Sequence, residues 1–449
     1  MEASFYPYLG ALCWIGMLLM LGTLIRAKVP LFQKLLFPSS LIGGLIGFVL
    51  INLDLVGMPT STGWKDITPN IFSMITFHLF AFGFVGIGLL QTKKPASGKV
   101  VMRGALWIAL VFGMTFSVQA LIGKGVFVLW QDLFGGLLGA GFTQGPGQTQ
   151  AYATIWQTSY QTANALSVGL AFAAVGFLVA GIVGVPLAFY GIKRGWCTGG
   201  RSGELPQNFL RGLMDRGDNP PCSHSTTHPA NIDNLGFHVG LMAAIYGVAY
   251  LFGLLFSKYM PAGIAGLGFG LTFCWGMFLA MLLRKFMGKI DILHLIDGET
   301  TRRLVGGSVD FMICAVFLGI EMRALQEVLL PFIVAIAVAT FITLIICVWF
   351  GRRSPEYGFE RCLIMFGYAT GTAASGLLLL RIADPDYETP VAVEGGLMNV
   401  FSCLTFLPVT LSMPFAPLPG YPIVWVFAAV IIATPIAMYL LKFIRKPAF

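Results

Sequence analysis

The chain has 449 residues, 57% of them hydrophobic and only 11% charged, with a formal net charge of +8. A soluble domain is about 25% charged, and no soluble fold of this length could hide so much apolar surface. The composition excludes a soluble globular protein and points to an all-α polytopic membrane protein, since apolar runs of 18 or more residues recur and each can cross roughly 30 Å of hydrocarbon.

In chain order, eleven spanning segments are expected near 6–25, 37–53, 70–90, 104–130, 163–192, 236–256, 262–283, 304–322, 328–350, 391–412 and 421–443. The first starts at Tyr6 with no basic region before it, which does not fit a cleavable signal peptide. The eight cysteines are scattered, mostly inside apolar runs, and read as small buried hydrophobes rather than a disulfide framework. Two stretches resist assignment as simple spans: 133–160, which contains GFTQGPGQTQAYATIWQ, and 355–389, which contains MFGYATGTAASGLLLLRIADPDYETP.

The positive charge does not mark nucleic-acid binding, because Lys and Arg cluster in short loops between apolar runs, as membrane orientation requires. If both odd stretches dip into the bilayer and return, the clusters around Lys28, Lys94, Lys193, Arg284, Arg303, Arg352 and Arg445 fall on one face. If each crosses once, the 193–216 and 284–303 clusters move to the wrong side. The charge pattern therefore favours two re-entrant segments, one from each face, with the N-terminus outside and the C-terminus cytoplasmic.

An internal repeat agrees with this topology. FPSSLIGGLIGF at 37–48 resembles MPAGIAGLGFGL at 260–271, FVGIGL at 84–89 resembles FLGIEM at 317–322, and GPGQTQA at 145–151 has a looser counterpart in TGTAASG at 370–376. Five crossings separate the first pair, an odd number, so the repeats have inverted topology. The expected organisation is a first membrane repeat at 1–192, a linker loop at 193–235 and a second repeat with a terminal helix at 236–449. The loop carries CSHSTTH with Cys222, His224 and His228, but a structural zinc site needs four ligands and the stretch reads as a solvated linker. No metal beyond a coupling cation is expected.

Irregular backbone is tolerated at membrane depth only where protein or a watery cavity satisfies its polar groups. Interrupted segments at matching positions of inverted repeats point to a secondary transporter's binding site. Pro146 suits the first position of a returning helix, whose free N–H groups and positive dipole end can hold an anion. Thr370, Gly371 and Thr372 offer the same geometry in the second segment. The neutral polar groups expected there are Thr143, Gln144, Gln148, Thr149, Gln150, Thr370, Thr372 and Ser375, with Gly145 and Gly147 allowing close approach. They can coordinate sodium with freed carbonyls, hydrogen-bond a carboxylate, or merely satisfy one another.

Among charged groups, Arg381 is the arginine expected to fork onto a substrate carboxylate, with pairing to Asp384 or Glu388 as the plain alternative. Asp310, expected about two turns into its helix, is a cation-site candidate together with Gln148, Thr149 and Thr372. Asn399 could reach the same cavity. His78 and His238 read as packing or hydrogen-bonding residues. No catalytic motif is present: there is no His-Glu-x-x-His and no nucleophile–base pair, so no enzyme is expected.

With these residues in view, the chain resembles the bacterial sodium/glutamate symporter family, and more loosely the citrate-type 2-hydroxycarboxylate carriers. PSSLIGGLIG at 38–47 resembles that family's early Pro-x-x-hydrophobic-small-Gly-Gly helix, and LVGGSVDFMICAVFLGIEM at 304–322 its corresponding late helix. The tips differ from the usual Gly-Gly-x-Gly, reading Gly145-Pro146-Gly147 and Thr370-Gly371-Thr372. The resemblance implies a homodimer in the bacterial inner membrane, embedded in lipid. It also implies an elevator-type carrier that takes up glutamate or a similar small dicarboxylate with sodium as coupling ion. It carries substrate contacts over to Gln148, Thr149, Thr372, Ser375 and Arg381. The alternatives are a proton-coupled carboxylate carrier and a passive channel for small anions, against which the absence of a charged ring or filter motif speaks mildly.

Overall fold

The computed structural model describes residues 2–60, 63–90, 98–130, 134–198, 207–217, 223–260, 268, 272–384, 388–418 and 420–447. In chain order its main helices are α1 (Glu2–Lys28), α2 (Ser39–Asn52), α3 (Pro69–Leu89), α4 (Gly98–Val128), α5 (Pro146–Ser159), α6 (Ala165–Val179), α7 (Val185–Lys193) and α8 (Asn234–Tyr259). They continue as α9 (Thr272–Lys289), α10 (Gly298–Leu318), α11 (Leu329–Arg352), α12 (Gly358–Thr370), α13 (Ala373–Ala383), α14 (Val391–Thr405) and α15 (Ile423–Leu440). The described sheet is one antiparallel hairpin, β1 (Gly57–Thr60) with β2 (Gly63–Asp66), in which Gly57 faces Asp66.

Seven helices among the described residues are long and apolar enough to cross a membrane: Pro7–Lys28, Pro69–Leu89, Gly98–Val128, Ala165–Lys193, Asn234–Tyr259, Leu329–Arg352 and Ile423–Leu440. The chain is thus an all-α multi-pass membrane protein. The expected span at 37–53 is the 14-residue α2, and the 260–271 repeat stretch lies outside the described residues apart from Met260 and Gly268.

The chain forms two compact units. One comprises Met1–Leu24, Ile42–Lys93 and Gly212–Gly319; the other Ile25–Leu41, Lys94–Arg211 and Ile320–Phe449. Each combines chain from before and after the 193–235 loop, so a compact unit is not a sequence half.

The first unit is built on small residues. A Cβ on Gly43 would stand 2.4 Å from the Leu18 carbonyl oxygen, one on Gly44 2.6 Å from the Phe317 ring, and one on Gly47 2.7 Å from Leu318. The two glycine-bearing motifs at 38–47 and 304–322 therefore pack on each other, because without side chains α2 can approach α1 and α10 closely. Ile15, Leu18, Phe72, Cys314 and Leu318 form the adjoining core.

The end of the central loop is tied into this unit by polar contacts. The Asp297 backbone N–H donates to His238 Nε2 at 2.8 Å, and His238 Nδ1 contacts the Asn234 carbonyl at 2.7 Å. One nitrogen must accept and the other donate, so His238 is the neutral Nδ1–H tautomer. His78 Nδ1 meets the Tyr246 hydroxyl at 2.6 Å. Both histidines are hydrogen-bonding residues, as expected. In the motif CSHSTTH, the His228 ring accepts from the Ala230 N–H, and Cys222 lies outside the described residues. In the second unit, burial first and the negative charges of Glu360 and Asp384 next push the Cys197 thiol up to about 12, which keeps it protonated.

Candidate functional site

The second unit contains both interrupted segments. In the first, a 3₁₀ turn at Phe134–Gly136 leads through Leu137–Gly139 into a π-helical turn, Ala140–Gln144, and the helix stops at Gly145. Gly145 adopts φ 77° and ψ −171°, a region essentially confined to glycine. Pro146 then opens α5 at a position where a missing N–H costs nothing. The Trp156 indole N–H anchors the far part of α5 by donating to the Met413 carbonyl at 2.9 Å. In the second segment α12 ends at Thr370, Gly371 breaks the chain, and α13 starts after the extended residue Thr372.

The structure brings the two breaks together. A Cβ on Gly145 would lie 2.8 Å from Thr372 Cγ2 and 3.3 Å from the Gly371 carbonyl oxygen. The long helix α6–α7 backs both. A Cβ on Gly169 would lie 2.7 Å from Thr149 Cγ2, and one on Gly176 only 2.1 Å from the Thr370 carbonyl oxygen. Glycine at 176 is what allows the second break to rest on this helix.

Neither α5 nor α13 has a side-chain cap at its start. Their first-turn N–H groups, which no intrahelical carbonyl can reach, therefore form two positive dipole ends beside one another. The side chains around them are short of partners. Gln144 Oε1, Gln148 Oε1 and Thr372 Oγ1 are buried and make no hydrogen bond among the described residues. Leaving such atoms dry and unpaired costs about 1–3 kcal/mol each, so the arrangement suits groups that a ligand completes. Thr149 and Thr370 instead donate to carbonyls of their own turn, Gly145 and Phe366, and retain lone pairs.

Gln119, which sequence reading did not single out, organises the cluster. It is fully buried in α4; its Oε1 accepts from the Thr143 hydroxyl at 2.6 Å, and its Nε2 donates to the Ala369 carbonyl at 2.8 Å and to Thr343 Oγ1 at 2.9 Å. One amide thus holds the turn before the first break and the turn before the second. An uncharged polar residue in the middle of an apolar helix was the available signal, and it is a weak one.

The remaining expected residues lie elsewhere. Arg381 sits eight residues beyond Ala373, about 12 Å along α13, and is exposed with its guanidinium over the Phe209 ring at 5.1 Å. Asp384 does not pair with it, accepting instead from the Glu388 and Thr389 backbone and the Thr389 hydroxyl. Gly147 is buried in the first turn of α5, and Ser375 is half-buried in the first turn of α13. Asp310 belongs to the first unit, where α10 begins six residues earlier than expected and places it more than three turns in, exposed. Asn399 lies on α14, but its side chain is outside the described residues. Among the described residues of this unit the buried arginine is Arg361, which forks onto Glu394 with Nε–Oε2 2.8 Å and Nη2–Oε1 2.6 Å.

A family profile described as Sodium/glutamate symporter matches residues 8–370. Among curated proteins, the sodium/glutamate symporter of Escherichia coli strain K12 is 23% identical over 374 residues, covering 80% of this chain and 85% of the relative. That of Haemophilus influenzae is 23% identical over 336 residues, covering 73% and 74%. These relatives are named as symporters, not as enzymes. No solved structure matches the chain significantly.

Proposed function

The chain belongs to the sodium/glutamate symporter family, and from that membership we propose that it is a secondary active transporter. It couples inward movement of sodium to uptake of glutamate or a similar small dicarboxylate. The observation that carries this reading is the trio of buried, unpartnered oxygens on Gln144, Gln148 and Thr372 between two uncapped helix starts.

The chemistry divides between the two ends of each broken helix. The N–H groups opening α5 and α13 suit a carboxylate. The carbonyls left free where the turn Ala140–Gln144 and α12 end, together with Gln148, Thr149 and Thr372 oxygens, suit sodium. Thr143 reaches the site through Gln119. Each sodium moving down a membrane potential contributes roughly 2.3 kcal/mol per 100 mV. In this reading the two interrupted segments are re-entrant hairpins of inverted repeats, entering from opposite faces, with the C-terminus cytoplasmic. The unit that holds both breaks is the body that moves in an elevator cycle, in a homodimer.

Reconstitution in liposomes with and without a sodium gradient tests the proposal. Gln148→Ala and Thr372→Ala should abolish glutamate accumulation while the protein stays folded. Accumulation equal to wild type in both variants rejects the site, and flux that never exceeds equilibrium rejects symport in favour of a passive pore.

A further inference from the structure

Away from the paired breaks, the second unit contains a cavity of about 220 Å³ whose wall includes Arg103, Trp107, Glu356, Arg361, Phe443 and Arg445. It lies where apolar spanning helices begin or end: Arg103 is in the second turn of α4, Glu356 follows the end of α11, and Phe443 follows the end of α15. By length and apolar composition these helices are spanning segments, so the cavity sits at their ends.

The wall has hydrogen-bond donors in excess of acceptors. Arg361 is consumed by Glu394, the Ser354 hydroxyl and the Glu356 carbonyl. Arg103 gives one N–H to the Leu441 carbonyl at 3.1 Å and lies 5.2 Å over the Phe443 ring, leaving its other N–H groups available. The exposed Arg445 side chain makes no hydrogen bond or ion pair among the described residues. Trp107 is 1% exposed, and its buried indole N–H has no acceptor among the described residues. Against these donors stands one lining carboxylate, that of the exposed Glu356.

We propose that this cavity binds a phosphate group, supplied as the phosphodiester headgroup of an anionic phospholipid. Guanidinium groups match phosphate geometry, the Trp107 N–H supplies a further donor, and basic pockets at helix ends take anionic headgroups. The Phe443 ring and the first turns of α4 give the glycerol and upper acyl carbons an apolar wall. The site does not depend on what the transporter carries.

Native mass spectrometry of the detergent-purified protein, titrated with phosphatidylglycerol or phosphatidylcholine, tests it. Wild type should retain phosphatidylglycerol over phosphatidylcholine, and Arg445→Gln should weaken that retention about fivefold, the effect of one surface arginine. Trp107→Phe, which keeps the ring and removes the donor, should weaken it as well. Added inorganic phosphate should displace the lipid only at much higher concentration. Equal retention in wild type and both variants, or no preference over phosphatidylcholine, overturns the site. Inorganic phosphate binding as tightly as the lipid overturns the headgroup as its source.

Discussion

The Thr143 hydroxyl donates to Gln119 Oε1 across 2.6 Å, between two side chains that are at most 2% exposed. The same amide reaches the Ala369 carbonyl and Thr343, so Gln119 fixes both breaks from one point. Gln119→Leu fits the space but strands three buried polar groups, at about 1–3 kcal/mol each. The expected outcome is a lower melting temperature of the purified protein together with at least a tenfold loss of sodium-driven glutamate uptake. A leucine variant that melts and transports like wild type would show that the amide holds nothing in place.

Gly145 carries the geometry of the first break. An alanine there would have to adopt φ 77° with ψ −171° and place its methyl carbon 2.8 Å from Thr372 Cγ2. Backbone strain of this kind costs on the order of 1–3 kcal/mol, and the methyl group also pushes the second break away. Gly145→Ala should therefore lose uptake through a higher KM as well as a lower rate, because both helix starts shift. The check is initial uptake rate against glutamate concentration in proteoliposomes. A change in rate alone, at unchanged KM, would separate Gly145 from the substrate.

Part of the fold and of the candidate site is legible in the sequence. Gly145-Pro146 announces a helix start because glycine permits positive φ and proline fixes φ at the first helical position, and Gly371 between two threonines marks the second break. PSSLIGGLIG stands out in the sequence only as a repeat and a family motif; the structure shows that its glycines let α2 pack on α10 through Phe317 and Leu318. Gln119 and Arg361 were missed because their importance lies in partners 24 to 250 positions away in the chain, a relationship that local pattern does not encode. Arg381 was singled out by its place after an apolar run, but that place is the far end of α13, where the side chain stacks on Phe209.

Asp297 caps α10 in the first unit. Its Oδ2 accepts from the Thr300 hydroxyl at 2.6 Å, the Thr300 N–H at 2.8 Å and the His224 N–H at 3.3 Å. Burial by itself would raise its pKa, but these hydrogen bonds and the Glu299 N–H outweigh that and hold the carboxyl below the usual carboxylate range. A depressed folded-state pKa stabilises above the unfolded value of about 3.9, and the contribution is lost as pH falls through the folded value. Asp297→Asn retains capping ability but cannot ionise. Wild type should melt higher than Asp297→Asn near neutral pH, and the gap should close as pH drops below about 4. A gap independent of pH would mean that the carboxylate's charge contributes nothing.

Gly104 in α4 faces the buried Arg361–Glu394 pair. A Cβ there would stand 2.0 Å from the Glu394 carboxyl carbon, so the helix has room for the carboxylate only because residue 104 has no side chain. Gly104→Ala should displace Glu394, which is fully buried, from the Arg361 fork. Breaking a buried pair costs about 3–5 kcal/mol, since the remaining charge is left dry and uncompensated. Gly125 supplies the control: it lies in the same helix, is exposed, and a Cβ there meets nothing within 4 Å. Gly125→Ala should be neutral or stabilising by up to about 1 kcal/mol through lower unfolded-state entropy. Compared by thermal unfolding in the same detergent, Gly104→Ala should melt lower than wild type while Gly125→Ala melts at or above it. Equal melting temperatures would show that Glu394 can leave Arg361 without penalty.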